Sequence, residues 1–383
     1  MLWRICIFPN TPERVIDLLL TDILPADIQK KLARTPQHEV WHGEGDVLTH
    51  TKMVCDALTR LEGWQQADEQ TKTSLYLAAA FHDLGKIPTT RQEDGIWVAP
   101  SHGRVSANMT RQLLWERLSG TPERQQLRET VCSLVRYHGL PLHAIDDPDG
   151  LIRLRKAAAN GKLLPRFTLH SLCLLAEADV RGRICGDQQE LLDKVQLCRE
   201  LAKEGGCFDG PYPFPSDCTA YAYCSGKNVP AEYPLFDDTW GEVILLSGLP
   251  GTGKDTWIQE NAAHLPMISL DEIRKELGVS PADNQSKVVE LATQRAKEML
   301  RKKQSFVWNA TNITPQTRQR QINLFTAYGA SANIVYLETN RTEQLRRNAN
   351  RVDAVPEAAV CDMLHKLTPP ERWEAQNVQW ICV

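Results

Sequence analysis

Residues 242–254 read Glu-Val-Ile-Leu-Leu-Ser-Gly-Leu-Pro-Gly-Thr-Gly-Lys, EVILLSGLPGTGK. A short apolar run gives way to a glycine-rich turn and then to helix-forming residues, the setting in which a phosphate-binding loop forms. Glycines let successive backbone N–H groups converge on phosphate oxygens, and the helix N-terminus adds its positive dipole. Gly248, Gly251, Thr252, Gly253 and Lys254 are thus candidates for gripping a nucleotide, with Lys254 reaching its β- and γ-phosphates. Further runs, PMIS, SFVWNAT and ANIVYLE, alternate with amphipathic stretches. Strand–helix alternation at this spacing predicts an α/β domain with a parallel sheet covered on both faces.

Upstream the pattern is helical. Apolar periodicity predicts helices over 47–61, 73–84, 106–118, 127–137 and 168–178. Between them lies 205–239, dense in Gly, Pro and aromatics, which reads as loop rather than helix or strand and as packing between the domains. The predicted organisation is a multidomain chain, an all-α domain at 1–204, a connector at 205–239 and an α/β domain at 240–383. No apolar run approaches the roughly 18 residues of a membrane span, and the start, MLWRICIFPN, lacks the h-region of a secretory signal. Eleven cysteines without paired spacing suggest free thiols in a reducing cytoplasm. Cys207, Cys218 and Cys224 contain no close pair of the kind zinc sites use.

Net charge is −4. Residues 240–383 carry 17 Lys and Arg against 16 Asp and Glu, leaving 27 against 32 for the rest. That balance argues against a broad basic surface for duplex, but allows an enzyme that grips a strand end through a few arginines.

Three features follow the phosphate loop. Asp271 and Arg274, three apart at a helix start, share a face, where a carboxylate can take a hydroxyl proton and an arginine can hold a phosphate. A helix-capping Asp beside a solvated Arg is the plainer alternative. Arg347 and Arg351, four apart, can clamp a transferring phosphoryl group. GLPGTGK, LDEIR, NATN and RRNANR together resemble the kinase module of polynucleotide 5′-kinases in phage and bacterial end-healing enzymes. That resemblance implies Lys254 on the donor phosphates, Asp271 as general base, Arg274 on the acceptor and Arg347 with Arg351 stabilising the transition state. It also implies Mg²⁺ with ATP or another NTP. The sequence departs from it at Asp255, where Ser or Thr normally meets the magnesium, and at Asn309, where related kinases commonly place Asp. Two expectations compete: Asp255 ligates the metal, or Asp255 caps the helix and Thr256 takes the metal.

The helical half carries His50, His82-Asp83 in AAAFHDLGK, His102, His138 and Asp179 in EADVRGR. Imidazole and carboxylate together suit a divalent metal that activates water. The order resembles the HD phosphohydrolase superfamily, especially the HD module of bacterial tRNA nucleotidyltransferases. The resemblance implies a divalent transition metal on His50, His82, Asp83, His138 and Asp179, with His102 assigned to a second metal. Lys86, read as sharing a helix face with His82, and Arg181 and Arg183 are candidate phosphate contacts. His42 and His143 read as non-ligands.

The two modules in this order are similar to the bacterial HD-Pnk family, whose members heal RNA 5′ and 3′ ends. This implies removal of 2′,3′-cyclic or terminal 2′- or 3′-phosphates and phosphorylation of 5′-hydroxyls. It further implies RNA or DNA strand ends and NTP as partners, no membrane, a functional link to an RNA ligase and a cytoplasmic setting. Two alternatives remain open, a nucleoside or sugar kinase fused to a nucleotide phosphohydrolase, and a non-catalytic nucleotide sensor. Acceptor specificity separates the first from a polynucleotide kinase, and the complete set of chemistry-bearing groups disfavours the second.

Overall fold

The computed structural model describes residues 23–351 and 353–383. The MLWRICIFPN segment, and with it the reading that it holds no signal sequence, lies outside the described residues. The chain divides into two compact units, one running up to Trp115 and resuming at Gln125–Pro213, the other made of Glu116–Arg124 and Phe214–Val383.

In the first unit the principal helices are α1 (Val47–Arg60), α2 (Glu69–Phe81), α3 (His102–Trp115), α4 (Pro122–Tyr137), α5 (Leu169–Arg181) and α6 (Gln188–Glu204). Asp46 caps α1 by accepting from Leu48 and Thr49 N–H, and Asp68 caps α2 through Gln70 and Thr71. Asp68 therefore starts α2 earlier than residue 73. The second turn onward of α2, Thr73 to Phe81, is buried, and α1, α2 and α5 pack on one another. A small antiparallel hairpin, β1 (Arg91–Glu93) and β2 (Ile96–Val98), precedes α3. A buried network of Arg111, Arg128 and Glu129 stands beside Trp115, with the Arg128 guanidinium 4.2 Å from its ring centroid.

The second unit holds a five-stranded parallel sheet ordered β4-β5-β3-β6-β7, from β3 (Glu242–Ser247), β4 (Met267–Ser269), β5 (Phe306–Asn309), β6 (Ser331–Glu338) and β7 (Asn377–Cys382). Its helices are α7 (Asp217–Cys224), α8 (Lys254–Asn261), α9 (Leu270–Leu277), α10 (Ser286–Arg301), α11 (Pro315–Ala327), α12 (Arg341–Ala349) and α13 (Glu357–Lys366). Leu246, Ile258, Val307, Val335 and Leu337 form a core between sheet and helices. The stretch 205–239, expected as loop alone, contains α7: Ser216 caps it through Thr219 N–H, and Tyr221, Tyr223 and Cys224 are buried.

Arg318 in α11 is fully buried and pairs bidentately with Glu374, Nε to Oε2 and Nη2 to Oε1 at 2.7 Å each. Its Nη1 donates to Asn312 and Thr368 carbonyls at 3.1 and 2.9 Å. Removing one partner of such a pair leaves a buried charge. Arg318→Ala should cost about 3–5 kcal/mol in urea unfolding. Arg318→Met with Glu374→Leu should recover part of it, the remainder measuring the two stranded carbonyls and the Glu371 N–H that Glu374 accepts from. Equal stability of Arg318→Ala and wild type would refute the assignment.

Candidate active sites

The site of the first unit begins where a buried helix stops. α2 ends at Phe81, so His82 and Asp83 leave it inside the unit. Gly85 lets the chain run against α3: its N–H donates to Ser106 Oγ at 2.7 Å, and a Cβ there would lie 2.3 Å from the His102 carbonyl oxygen. His82 Nδ1 donates to Ala79 O at 2.8 Å, and His138 Nδ1 to Val135 O at 2.7 Å. Those carbonyls sit in the last turns of α2 and α4, which lack helical partners, so each imidazole also caps its helix. His102 Nδ1 donates to Ala99 O at 2.8 Å, and His50 Nδ1 lies 2.9 Å from Glu44 Oε1 and 3.3 Å from Gly182 O. With the Nδ1 atoms engaged, the four Nε2 atoms turn toward one another and the two carboxylates, as metal ligands do.

Those nitrogens meet in twos. His50 Nε2 and His82 Nε2 are 3.3 Å apart, His102 Nε2 and His138 Nε2 3.2 Å. Asp83 stands between the pairs, Oδ2 3.2 Å from His82 Nε2 and Oδ1 3.5 Å from His102 Nε2. Asp179 Oδ1 lies 3.0 Å from His50 Nε2. Neither Asp83 oxygen receives an aligned hydrogen bond, although the group is buried. Facing lone pairs beside an undonated buried carboxylate fit divalent cations better than a metal-free polar core. His50 with His82 and Asp179 forms one possible ligand group, Asp83 with His102 and His138 a second, and His42 with Glu44 and His50 a third.

Protonation mostly suits metal binding, which needs neutral imidazoles and ionised carboxylates. Burial lowers His138 to about 3 and His42 to about 4, and it lowers His102 as well. Burial alone would raise Asp83, but the charges of His82 and Lys86 outweigh it and hold the carboxyl well below its usual range. At Asp179 the same penalty is outweighed by Arg183 and His50. His50 is the exception: burial lowers it, yet hydrogen bonds to Asp179 and Glu44 raise it overall.

The cluster opens into a cavity of about 730 Å³ whose lining includes Lys86, Arg183, Trp41, Trp97 and His143. Arg183 is held on Asp179, Nη2 to Oδ2 2.5 Å. Arg181 pairs with Glu177 and is not part of the lining. Lys86 does not share a helix face with His82, because α2 ends before either; it starts a separate helical turn. Its Nζ is 2.8 Å from Asp83 Oδ2 and donates to Gln37 Oε1 at 2.6 Å.

In the second unit the loop between β3 and α8 holds Gly248 at φ +151°, where a Cβ would lie 2.6 Å from the Leu337 carbonyl oxygen. Gly248 N–H donates to Thr311 O at 2.9 Å, and Asn312 Nδ2 to Leu246 O at 2.7 Å, so the NATN segment supports the loop from below. Thr252 Oγ1 donates to Leu249 O. Lys254 Nζ folds back onto the Gly248 and Leu249 carbonyls, 2.9 Å from each, and burial lowers it to about 8. Asn309 Nδ2 donates to Asp255 Oδ1 at 2.9 Å, joining the two residues that depart from the kinase pattern, and Thr256 is exposed beside them.

Ser269, not Asp271, caps α9. Asp271 instead pairs with Arg274 and remains largely exposed. Arg351 Nη2 is 3.9 Å from Asp255 Oδ2 and 3.9 Å from Asp271 Oδ2, joining the α12 end to the first turn of α8 and to α9. Arg347 is held by Glu343 at 2.6 Å, with a guanidinium nitrogen 3.4 Å from where Gly253 would carry a Cβ.

A profile of the HD domain matches residues 47–180, and a profile of the AAA domain matches residues 243–370. The chain is an HD domain followed by a P-loop kinase-like domain. Among solved structures, a protein from Chloroflexus aurantiacus, provisionally described as a kinase, is similar at 17% identity over 38% of this chain and 86% of that one, with a TM-score of 0.32. HD domains bind divalent metals, and P-loop kinases use NTP with Mg²⁺. No described helix is long and apolar enough to cross a membrane.

Sequence reasoning passed over Glu44 and Gln37, which orient His50 and Lys86; neither belongs to a motif, and only the three-dimensional approach reveals them. If the HD cluster takes cations, a divalent transition metal at about 100 times its dissociation constant should add about 2.7 kcal/mol of stability. The resulting rise in melting temperature should vanish in Asp83→Ala, with metal content falling in parallel by elemental analysis. A metal-insensitive wild type would overturn the reading.

Proposed function

We propose that this chain is an RNA end-healing enzyme of the HD-Pnk type: its HD domain clears 2′,3′-cyclic or terminal 2′- or 3′-phosphates, and its kinase-like domain phosphorylates 5′-hydroxyl ends. The observation that carries the kinase half is the convergence on Arg351, within 3.9 Å of both Asp255 in the first turn of α8 and Asp271. Asp271 is positioned to take the proton of the attacking 5′-hydroxyl. The oxygen then bonds to the γ-phosphorus as the bond to the β–γ bridging oxygen breaks, and the nucleoside diphosphate leaves. Lys254, on unfolding from its loop carbonyls, meets the donor phosphates; Arg347 and Arg351 meet the charge that builds on the transferred group. Arg274 faces the acceptor phosphate. Asp255, with Asn309 donating to its Oδ1, is the residue we assign to magnesium, which when bound neutralises the donor phosphates.

In the HD domain, His50, His82, Asp83 and Asp179 would hold one cation. Asp83, His102 and His138 would hold a second. Such cations lower the pKa of bound water. Arg183 and Lys86 keep Asp179 and Asp83 ionised and place positive charge by the phosphoester. Opening a cyclic phosphate with one water leaves a monoester; a second water releases inorganic phosphate. One domain removes the phosphate that blocks a 3′ end, the other supplies the one a 5′ end lacks, and a ligase is the enzyme class that uses both products. The ten described cysteines are free thiols, in keeping with action in the cytoplasm.

An oligoribonucleotide bearing both a 5′-hydroxyl and a 3′-phosphate reads both reactions. Asp83→Ala should stop release of the 3′-phosphate and spare 5′ labelling from γ-labelled ATP, and Lys254→Ala should do the reverse. Labelling of nucleosides in place of the oligonucleotide would favour a small-molecule kinase, and absence of both reactions a binding protein.

A magnesium titration tests Asp255. Asp255→Ala should lower kinase activity about 10²-fold or more and raise the magnesium requirement, as loss of charge stabilisation in phosphoryl transfer does. Asp255→Ser with Asn309→Asp should recover much of it by returning the carboxylate to the strand side. A wild-type rate and magnesium requirement in Asp255→Ala would instead assign the ion to Thr256.

A further inference from the structure

The kinase-like domain has a cavity of about 700 Å³ on the outer side of α10. Gln285, Val289, Thr293, Lys297 and Arg301 recur at four-residue intervals along it and so fall in one row. The row lies one position beyond Val288, Ala292, Ala296 and Leu300, which are buried against the domain. Arg320 of α11 lines the cavity as well.

The groove carries a net positive charge. Lys297, Arg301 and Arg320 take part in no hydrogen bond or ion pair among the described residues, and Glu290 is the one acid of the lining. Neighbouring arginines behave differently: Arg295 is bound to Glu276 at 2.7 Å and Arg318 to Glu374. Three cations held without partners in one groove, in a chain of net charge −4, form a local anion site that the overall charge conceals.

One end of the groove is tied to the kinase site. Gln285 Oε1 accepts from Arg274 Nε at 2.7 Å, and Gln285 Nε2 donates to the Asp283 and Ser280 carbonyls at 2.7 and 2.9 Å, which fixes the side chain between site and groove. From Gln285 to Arg301 the helix rise gives about 24 Å, a length of several nucleotides.

We infer that this groove carries the single strand that follows the 5′-hydroxyl nucleotide, with its phosphates on Lys297, Arg301 and Arg320 and its sugars along Thr293, Gln294 and Asn284. The inference rests on the kinase reading above and adds to it where the acceptor runs. A nucleoside or sugar would use none of it. Lys297 and Arg301 stand one turn apart at the far end of the row, about 18 Å of helix rise from Gln285, a distance that several nucleotides span and a nucleoside does not; the uncharged residues before them allow contacts to sugar and phosphate that carry no sequence preference.

The test compares wild type with the triple variant Lys297→Ala, Arg301→Ala, Arg320→Ala, using ATP, magnesium and two acceptors, a 5′-hydroxyl dinucleotide and a 5′-hydroxyl 12-mer of RNA. Wild type should show a lower KM for the 12-mer. The triple variant should raise that KM about tenfold or more and flatten its dependence on the logarithm of salt concentration by about 2, the value for three single-strand phosphate contacts. The dinucleotide, ending short of Lys297, should show little of this loss. A triple variant with the wild-type KM and salt slope on the 12-mer, or with equal losses on both acceptors, overturns the groove; so does a wild type that gains nothing from length while still phosphorylating the dinucleotide, and there the kinase reading survives. A wild type that phosphorylates neither acceptor overturns the kinase reading and the groove with it.

Discussion

A buried carboxylate with no aligned hydrogen-bond donor is expensive, and the HD domain is arranged around one. Asp83 is almost fully buried, with an ammonium on one side and imidazole pairs about it. An unpaired charge at such depth costs several kcal/mol, so its surroundings must supply positive charge. α2 has to stop at Phe81 for Asp83 to reach this place, α3 has to approach closely enough to deliver His102, and Gly85 is what permits that approach. Lys86 alone is poorly aligned to answer both oxygens, whereas a cation held by the facing imidazoles can.

The kinase-like domain meets the opposite requirement, a site for negative charge brought by a ligand. It uses backbone held in unusual conformations, and that backbone is supported by a line of buried polar contacts. Glu374 holds Arg318, Arg318 holds the Asn312 carbonyl, and the Asn312 side chain holds the Leu246 carbonyl at the end of β3. The phosphate loop starts two residues later. Its shape is thereby linked to Glu374, more than 120 positions away in the chain.

Much of this architecture is legible in the sequence because its signals are local. The phosphate loop, the apolar strands β3 to β6 and the order of His and Asp residues each occupy a few consecutive positions or one periodic face. What escaped reading depends on distance or on short, mixed segments. β7, NVQWIC, alternates too irregularly to announce a strand and is recruited by pairing with β6. α7 lies in a stretch whose Gly, Pro and aromatic content resembles loop, and it forms because Ser216 caps it and its tyrosines are buried. Helical spacing puts Lys86 on the face of His82 only where a helix continues, and here the chain has already left one. Glu44 and Gln37 act only through partners brought near by folding.

His82 and His138 each give one nitrogen to the last turn of the helix that carries them. Ring orientation there is written into main-chain geometry, so it does not depend on neighbouring side chains. The same economy couples two events: fraying of the final helical turn and turning of the imidazole become one motion. Release of the ion would then be governed by the local breathing of two helix ends, a process that amide exchange registers residue by residue and that bulk unfolding does not see.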